Sequence, residues 1–188
     1  MDTWEELEHT CKDCTRCGLC EGRNNVVFDS GNRNALIMFI GEGPGEQEDL
    51  QGEPFVGAAG KFLDDMLSII GIDRSNCYIA NIVKCRPPKN RDPLDKEQEA
   101  CIGYLRKQVA LVKPQIIVCL GRIAARRIIS PDYHISQKHG RWICRDGTWI
   151  TAIYHPSALL RDVHKRPETF DDLLSIEEKL KQVRRTTR

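Results

Sequence analysis

Cys11, Cys14, Cys17 and Cys20 recur at every third position, and Cys85 and Cys101 follow far downstream. A pair of cysteines two residues apart reaches round one metal centre, and Cys85, just ahead of Pro87-Pro88, offers a rigid further ligand. Four thiolates suit either zinc or an iron–sulfur cluster, and spacing alone leaves both open. The chain has nine cysteines, an odd number, and an acidic start without the basic and apolar segments of a secretory signal. A disulfide framework is therefore not expected. Cys11 and Cys20 read as spare thiols. Cys77 and Cys119 read as small hydrophobes of strands, and Cys144 carries no clear signal.

Three other groups carry chemical potential. Gly41-Glu42-Gly43-Pro44-Gly45 lets backbone amides approach an anion, although it lacks both the P-loop ending and the dinucleotide spacing. A tight strand-to-helix turn explains the glycines equally well, but not Glu42, and Glu48 and Asp49 follow close behind. Pro54-Phe55-Val56-Gly57 sets a flat ring among small residues, suited to core anchoring or to stacking on a base. His155-Pro156-Ser157, with Arg161 a turn further on, places a histidine where it can donate to an oxygen gaining charge, beside groups able to hold phosphate.

These groups need a scaffold that gathers them. Ala35 to Ile40, Cys77 to Val83, Gln115 to Leu120 and Trp149 to Tyr154 are short, apolar and β-rich, as buried strands are. Helical spacing fills Gly60 to Ile70, Lys96 to Val112, Arg122 to Ile129 and the tail from Pro167 to Arg188, which ends basic. Alternating strands and helices predict an α/β fold whose parallel sheet is covered on both faces. Ligands of such sheets bind beyond the carboxyl ends of the strands, where Gly41–Gly45, Lys84–Pro88, Gly121 and His155–Ser157 each follow one of the four runs.

Length and composition narrow the field. A chain of 188 residues with 40% hydrophobic and 29% charged residues is expected to form one domain. The longest apolar runs are too short to cross a bilayer, so the expectation is a cytoplasmic protein without a membrane partner. Net charge is only +1. Residues 121–188 nevertheless carry 14 Lys and Arg against 8 Asp and Glu, a basic third that permits phosphate contact.

Taken together, C-T-x-C at Cys14, GEGPGxxED at Gly41, GxPFVG at Gly52, N-x-x-KCRPPxNRxP at Asn81, the later Cys101 and HPSALLR at His155 closely resemble the family 4 uracil-DNA glycosylases, in the same order from about Cys14 to Arg161. The resemblance implies a three-layer α/β/α sandwich with a four-stranded parallel central sheet. It also implies a structural 4Fe-4S cluster held by Cys14, Cys17, Cys85 and Cys101. The implied reaction is hydrolysis of the bond joining uracil to deoxyribose in DNA, leaving an abasic site. Phe55 would stack on uracil, Asn81 would read its pairing edge, and Gly41, Glu42, Gly43 and Gln47 would line the pocket. His155 would stabilise charge on uracil O2.

First-family relatives place an Asp where this chain has Gly43, so Glu42 is expected to position water, with Glu48 in reserve. The loop Pro87–Pro93 lacks the nucleophilic histidine of a covalent relative, which favours direct hydrolysis. Ser157, Arg161, Lys84, Arg86, Lys89 and Arg91, with Lys165 and Arg166, are the candidate phosphate contacts. Leu159 or Leu160 is the candidate wedge into the vacated base stack. One small pocket reading one base suits a monomer. The competing expectation is an iron–sulfur electron-transfer or nucleotide-binding module without glycosylase activity.

Overall fold

The computed structural model describes residues 3–186; Met1 and Asp2 of the acidic start, and Thr187 and Arg188 of the basic tail, lie outside the described residues. The strands are β1 (Ser30–Gly31), β2 (Ile37–Gly41), β3 (Tyr78–Asn81), β4 (Ile116–Leu120), β5 (Ile143–Arg145) and β6 (Thr148–Ile153). The helices are α1 (Trp4–Lys12), α2 (Glu46–Gln51), α3 (Ala58–Ile69), α4 (Asp95–Val112), α5 (Gly121–Ile128), α6 (Ile135–Lys138), α7 (Pro156–Arg161) and α8 (Arg166–Thr186).

One sheet runs through the molecule in the order β1-β3-β2-β4-β6-β5. The inner pairs β3–β2, β2–β4 and β4–β6 are parallel, whereas β1 and β5 join the edges antiparallel. The sheet is therefore mixed and six-stranded: the expected count of four strands is corrected by two antiparallel edge strands flanking the four parallel inner ones. The two additions are two and three residues long and partly exposed, so they lack the apolar run that marks the inner strands.

Alternation along the inner strands sends side chains to two cores. Met38, Ile40, Tyr78, Ala80, Ile117 and Cys119 face a cluster with Leu7 of α1 and Leu105 of α4. Ile37, Phe39, Ile79, Val118 and Leu120 face Leu63 and Leu67 of α3 and Leu173, Ile176 and Leu180 of α8. Helices thus cover both faces, as strands buried on both sides require. Helix α1 opens with a reciprocal cap between Thr3 and Glu6, and in α4 the Glu97 carboxylate accepts from Leu94 N–H at 2.8 Å. Among the described residues no helix is long and apolar enough to cross a membrane.

Register aligns the strand ends: Gly41 lies opposite Asn81, Ile40 opposite Cys119, and Leu120 opposite Ile153. Glu42, Ile82, Gly121 and Tyr154 consequently leave the same edge together.

Candidate active site

At that edge lies a cleft of about 590 Å³ whose lining includes Glu42, Gly43, Gln47, Glu48, Phe55, Asn81, Arg91, Asp92, Arg122, Tyr154, His155, Ser157 and Arg161. The first loop is pinned as a short continuation of the sheet: Ile82 N–H donates to Gly41 C=O at 2.9 Å and Val83 N–H to Glu42 C=O at 3.1 Å. A side chain at Gly41 would meet Asn81 Oδ1 at 2.4 Å and the Phe55 ring at 2.7 Å. Glycine there allows amide and ring to close over the strand end.

Asn81 is 2% exposed, and its Oδ1 has no hydrogen-bond partner among the described residues. A buried amide oxygen without a partner costs about 1–3 kcal/mol, so this acceptor is open to a donor. Phe55 takes φ of 57°, left-handed for an aromatic residue and costing about 1–3 kcal/mol. Arg74 holds it there by donating to the carbonyls of Pro54 and Phe55 at 2.6 and 2.8 Å. Gly60 supports it from below, where a side chain would collide with Phe55 C=O. The Phe55 ring lies 5.7 Å from that of His155, centroid to centroid.

His155 caps α7. Ser157 N–H donates to its Nδ1 at 3.1 Å, so Nδ1 carries a lone pair and the ring proton of the neutral form sits on Nε2. Burial, with Arg161 nearby, lowers its pKa from 6.5 to about 4 against the opposing pull of Glu48. Gly121, at φ of 86°, makes room for the ring, because a side chain there would meet His155 Cβ at 2.9 Å. At neutral pH the cleft therefore contains an uncharged imidazole donor.

The two candidate carboxylates sit in different surroundings. Burial and the neighbouring Asp92 raise the Glu42 pKa, while Arg122 and Arg161 restrain it. Glu48 instead accepts from Val56 N–H at 2.9 Å and Gly57 N–H at 2.7 Å through Oε1, and from Gly45 N–H at 3.1 Å through Oε2. It clasps the glycine loop to the Phe55 loop. Three of its roughly four acceptor positions are thereby taken by backbone N–H groups.

Of the candidate phosphate contacts, Ser157, Arg161, Arg91 and Lys165 line the cleft. Ser157 Oγ lies 2.8 Å from His155 Nδ1, and Arg91 is paired with Glu97 at 2.7 Å. Arg86 reaches Asn90 and Glu46, Lys89 is exposed, and Arg166 braces the carbonyl of Leu159. Lys84 is a correction. At 1% exposure it is buried, with Nζ donating to Gln108 Oε1 at 2.6 Å and Phe28 C=O at 3.2 Å, out of reach of DNA. The structure also separates the two candidate wedges, burying Leu159 and leaving Leu160 at the surface.

A second, smaller pocket is lined by Cys11, Cys14, Cys17, Cys20, Cys85 and Cys101, together with Arg16, Arg23, Lys84 and Tyr104. All six thiols are free, and neither carboxylate nor imidazole joins them. Arg23 Nη1 donates to Cys85 Sγ at 3.4 Å, and Lys84 N–H to Cys101 Sγ at 3.3 Å. Burial pushes the Cys85 thiol up, and that of Cys101 to about 11; Arg23 and Lys84 respectively pull them back. Among the described residues no group of three or more His, Cys, Asp or Glu side chains is arranged to hold a single metal ion. An all-sulfur donor set edged by cations matches the chemistry of an iron–sulfur cluster.

Sequence reasoning missed Asp92, Arg122 and Tyr154 in the cleft and Arg23 at the cysteines. Asp92 fills an unassigned position of the loop Pro87–Pro93, the other three stand in none of the motifs, and their partners come from distant elements.

The family model for the uracil DNA glycosylase superfamily matches residues 28–180. A type-4 uracil-DNA glycosylase of Archaeoglobus fulgidus is 42% identical over 95% of this chain and 94% of its own length. One of Thermotoga maritima is 42% identical over 86% of this chain and 88% of its own. One of Sulfurisphaera tokodaii is 40% identical over 95% and 85%. On these matches, which run along nearly its whole length, the chain belongs to the type-4 uracil-DNA glycosylase family.

Proposed function

We propose that the protein excises uracil from DNA by hydrolysing the N-glycosidic bond of an everted deoxyuridine. The observation that carries this reading is the pairing, in one cleft, of the unpartnered Asn81 Oδ1 with the neutral His155 donor. Uracil presents an N3–H donor and an O4 acceptor side by side, and an amide answers both. Cytosine presents an acceptor at N3 and a donor at N4, leaving Asn81 mismatched at both atoms. Phe55 stacks on the ring, and the backbone of Gly41 to Gly43 with Gln47 encloses it.

As the bond lengthens, negative charge grows on uracil O2 and positive charge on the sugar. His155 Nε2–H donates to O2 without itself losing a proton, so each tenfold of rate needs only about 1.36 kcal/mol of preferential stabilisation. Glu42 orients a water toward the sugar and accepts its proton, a task that a raised pKa favours. Free uracil leaves, and the strand keeps an abasic site. Eversion costs a few kcal/mol, least at a mispair. Arg161, Ser157 and Arg91 hold phosphates beside the cleft, and Leu160 fills the vacated stack.

Cys14, Cys17, Cys85 and Cys101 would hold a 4Fe-4S cluster. Its contribution is structural, joining the N-terminal segment to the Lys84–Cys85 loop, because hydrolysis transfers no electrons.

The test is incubation of purified protein with uracil-containing single-stranded DNA followed by alkali, alongside iron and sulfide analysis. Cleavage at the uracil position by brown protein is expected. Intact strands would refute the glycosylase reading, and colourless zinc protein the cluster assignment. Asn81→Ala is expected to fold and to lose most of the excision rate; near-normal turnover would remove Asn81 from the mechanism.

A further inference from the structure

A short segment that starts at Arg23, on the wall of the cysteine pocket, leads toward the base cleft. Arg23 Nη1 donates to Cys14 C=O at 2.7 Å as well as to Cys85 Sγ, and its Nη2 donates to Lys12 C=O at 2.9 Å. The next two residues turn toward α2. Asn24 N–H donates to Asp49 Oδ1 at 2.9 Å, the Asn24 amide donates to Oδ2, and the Asn25 amide donates to Asp49 C=O at 2.8 Å. Asp49 is wholly buried and is not part of the cleft wall. Its chain neighbours Gln47 and Glu48 do line the cleft, and Glu48 clasps Gly45, Val56 and Gly57 beside Phe55.

A buried carboxylate receiving two hydrogen bonds from Asn24 and a longer one, at 3.4 Å, from Asn25 N–H is costly to disturb, because each lost bond leaves a buried group unmatched. Arg23 is fixed at one end of this strap by two carbonyls and a sulfur, and Asp49 at the other by α2. Movement of the cysteine loop therefore pulls on the helix that carries the Glu48 clasp.

We infer that Arg23, Asn24 and Asn25 form a positioning strap that couples occupancy of the cysteine site to the geometry of the base cleft through Asp49. The inference rests on the reading that Cys14 and Cys85 hold a cluster and that the cleft takes uracil. Coupling between sites is reciprocal, so damage at either end must be felt at the other.

The experiment uses the full-length, cluster-loaded protein and measures two quantities for wild type, Arg23→Met and Asp49→Asn. One is the half-life of the visible cluster absorbance under an iron chelator. The other is KM and kcat on a uracil-containing single strand. Asp49→Asn, which touches no cysteine, is expected to shorten the half-life by about fivefold or more. Arg23→Met, which touches no cleft residue, is expected to shorten it by about tenfold or more. It should also raise KM by about fivefold or more, with kcat changed less. Arg23→Lys restores part of both.

If Asp49→Asn leaves the half-life unaltered, or Arg23→Met leaves KM unaltered, the two sites are independent and the strap is refuted. Should Asp49→Asn fail to fold, Asn24→Ala removes the side-chain contact while keeping the backbone one, with the same two readouts and the same deciding outcomes. A wild-type protein without iron, or without base release, would instead refute the underlying reading, so the two failures are distinguishable.

Discussion

Replacement of His155 by Asn tests the claim that an uncharged imidazole does the catalytic work. With a pKa of about 4, only about one His155 in a thousand is protonated at pH 7. A mechanism needing imidazolium would therefore carry a penalty of about 4 kcal/mol. A neutral Nε2–H donor avoids that penalty and is worth about 10²–10³ in rate, the usual effect of one oxyanion donor. His155→Asn is expected to lower single-turnover excision by that factor at pH 7.

The same burial has a signature in stability. Between the ordinary value of 6.5 and about 4, the unfolded chain takes up a proton that folded His155 refuses. Stability is thus fully present above 6.5 and falls as pH drops through this window, by about 2 kcal/mol at pH 5. That loss corresponds to about 4–8 °C in Tm for a chain of this size. The assay compares Tm at pH 7 and pH 5 for wild type and His155→Asn, the difference of differences isolating this one group. His155→Asn should lose less Tm on acidification by that amount. Equal losses in both proteins, or a rate change below tenfold, would refute the reasoning.

Three further outcomes follow from particular contacts. Glu42→Gln should lower kcat by about 10²-fold or more with little change in KM. Glu48→Gln should mainly raise KM and lower Tm, because an amide cannot accept all three backbone bonds; the reverse pattern in single-turnover and steady-state kinetics would exchange their roles. Gly121→Ala meets both a φ of 86° and His155 Cβ at 2.9 Å, so it should cost more than about 1 kcal/mol and lower kcat, measured by urea unfolding and by excision. In DNA binding against salt, Arg161→Gln should reduce the slope by about one counterion, whereas Lys84→Met should leave the slope unchanged and reduce stability.

The inner strands and major helices were legible because their apolar runs and helical spacing are long enough to see. Gln115 to Leu120 was expected and Ile116–Leu120 is found; Lys96 to Val112 was expected and Asp95–Val112 is found. The edge strands were not legible, because Ser30–Gly31 and Ile143–Arg145 are defined by their partners rather than by composition. Convergence of Glu42 and His155 on one edge followed from the rule for parallel sheets, whereas Asn81, inside the expected run Cys77 to Val83, was singled out only through the family resemblance. Lys84 misled because a lysine among Cys85, Arg86 and Lys89 reads as surface, while its partners Phe28 and Gln108 lie on other elements. Nothing around Asp49 in the sequence signals its burial for the same reason: its partners Asn24 and Asn25 lie a full segment away.

The most direct test of the central claim is chromatographic measurement of free base released from two matched strands, one containing uracil and the other cytosine at the same site. One equivalent of uracil per strand, with no release of cytosine, is predicted from the pairing edge that Asn81 presents. Retention of uracil in the strand, or equal release of both bases, would contradict the account.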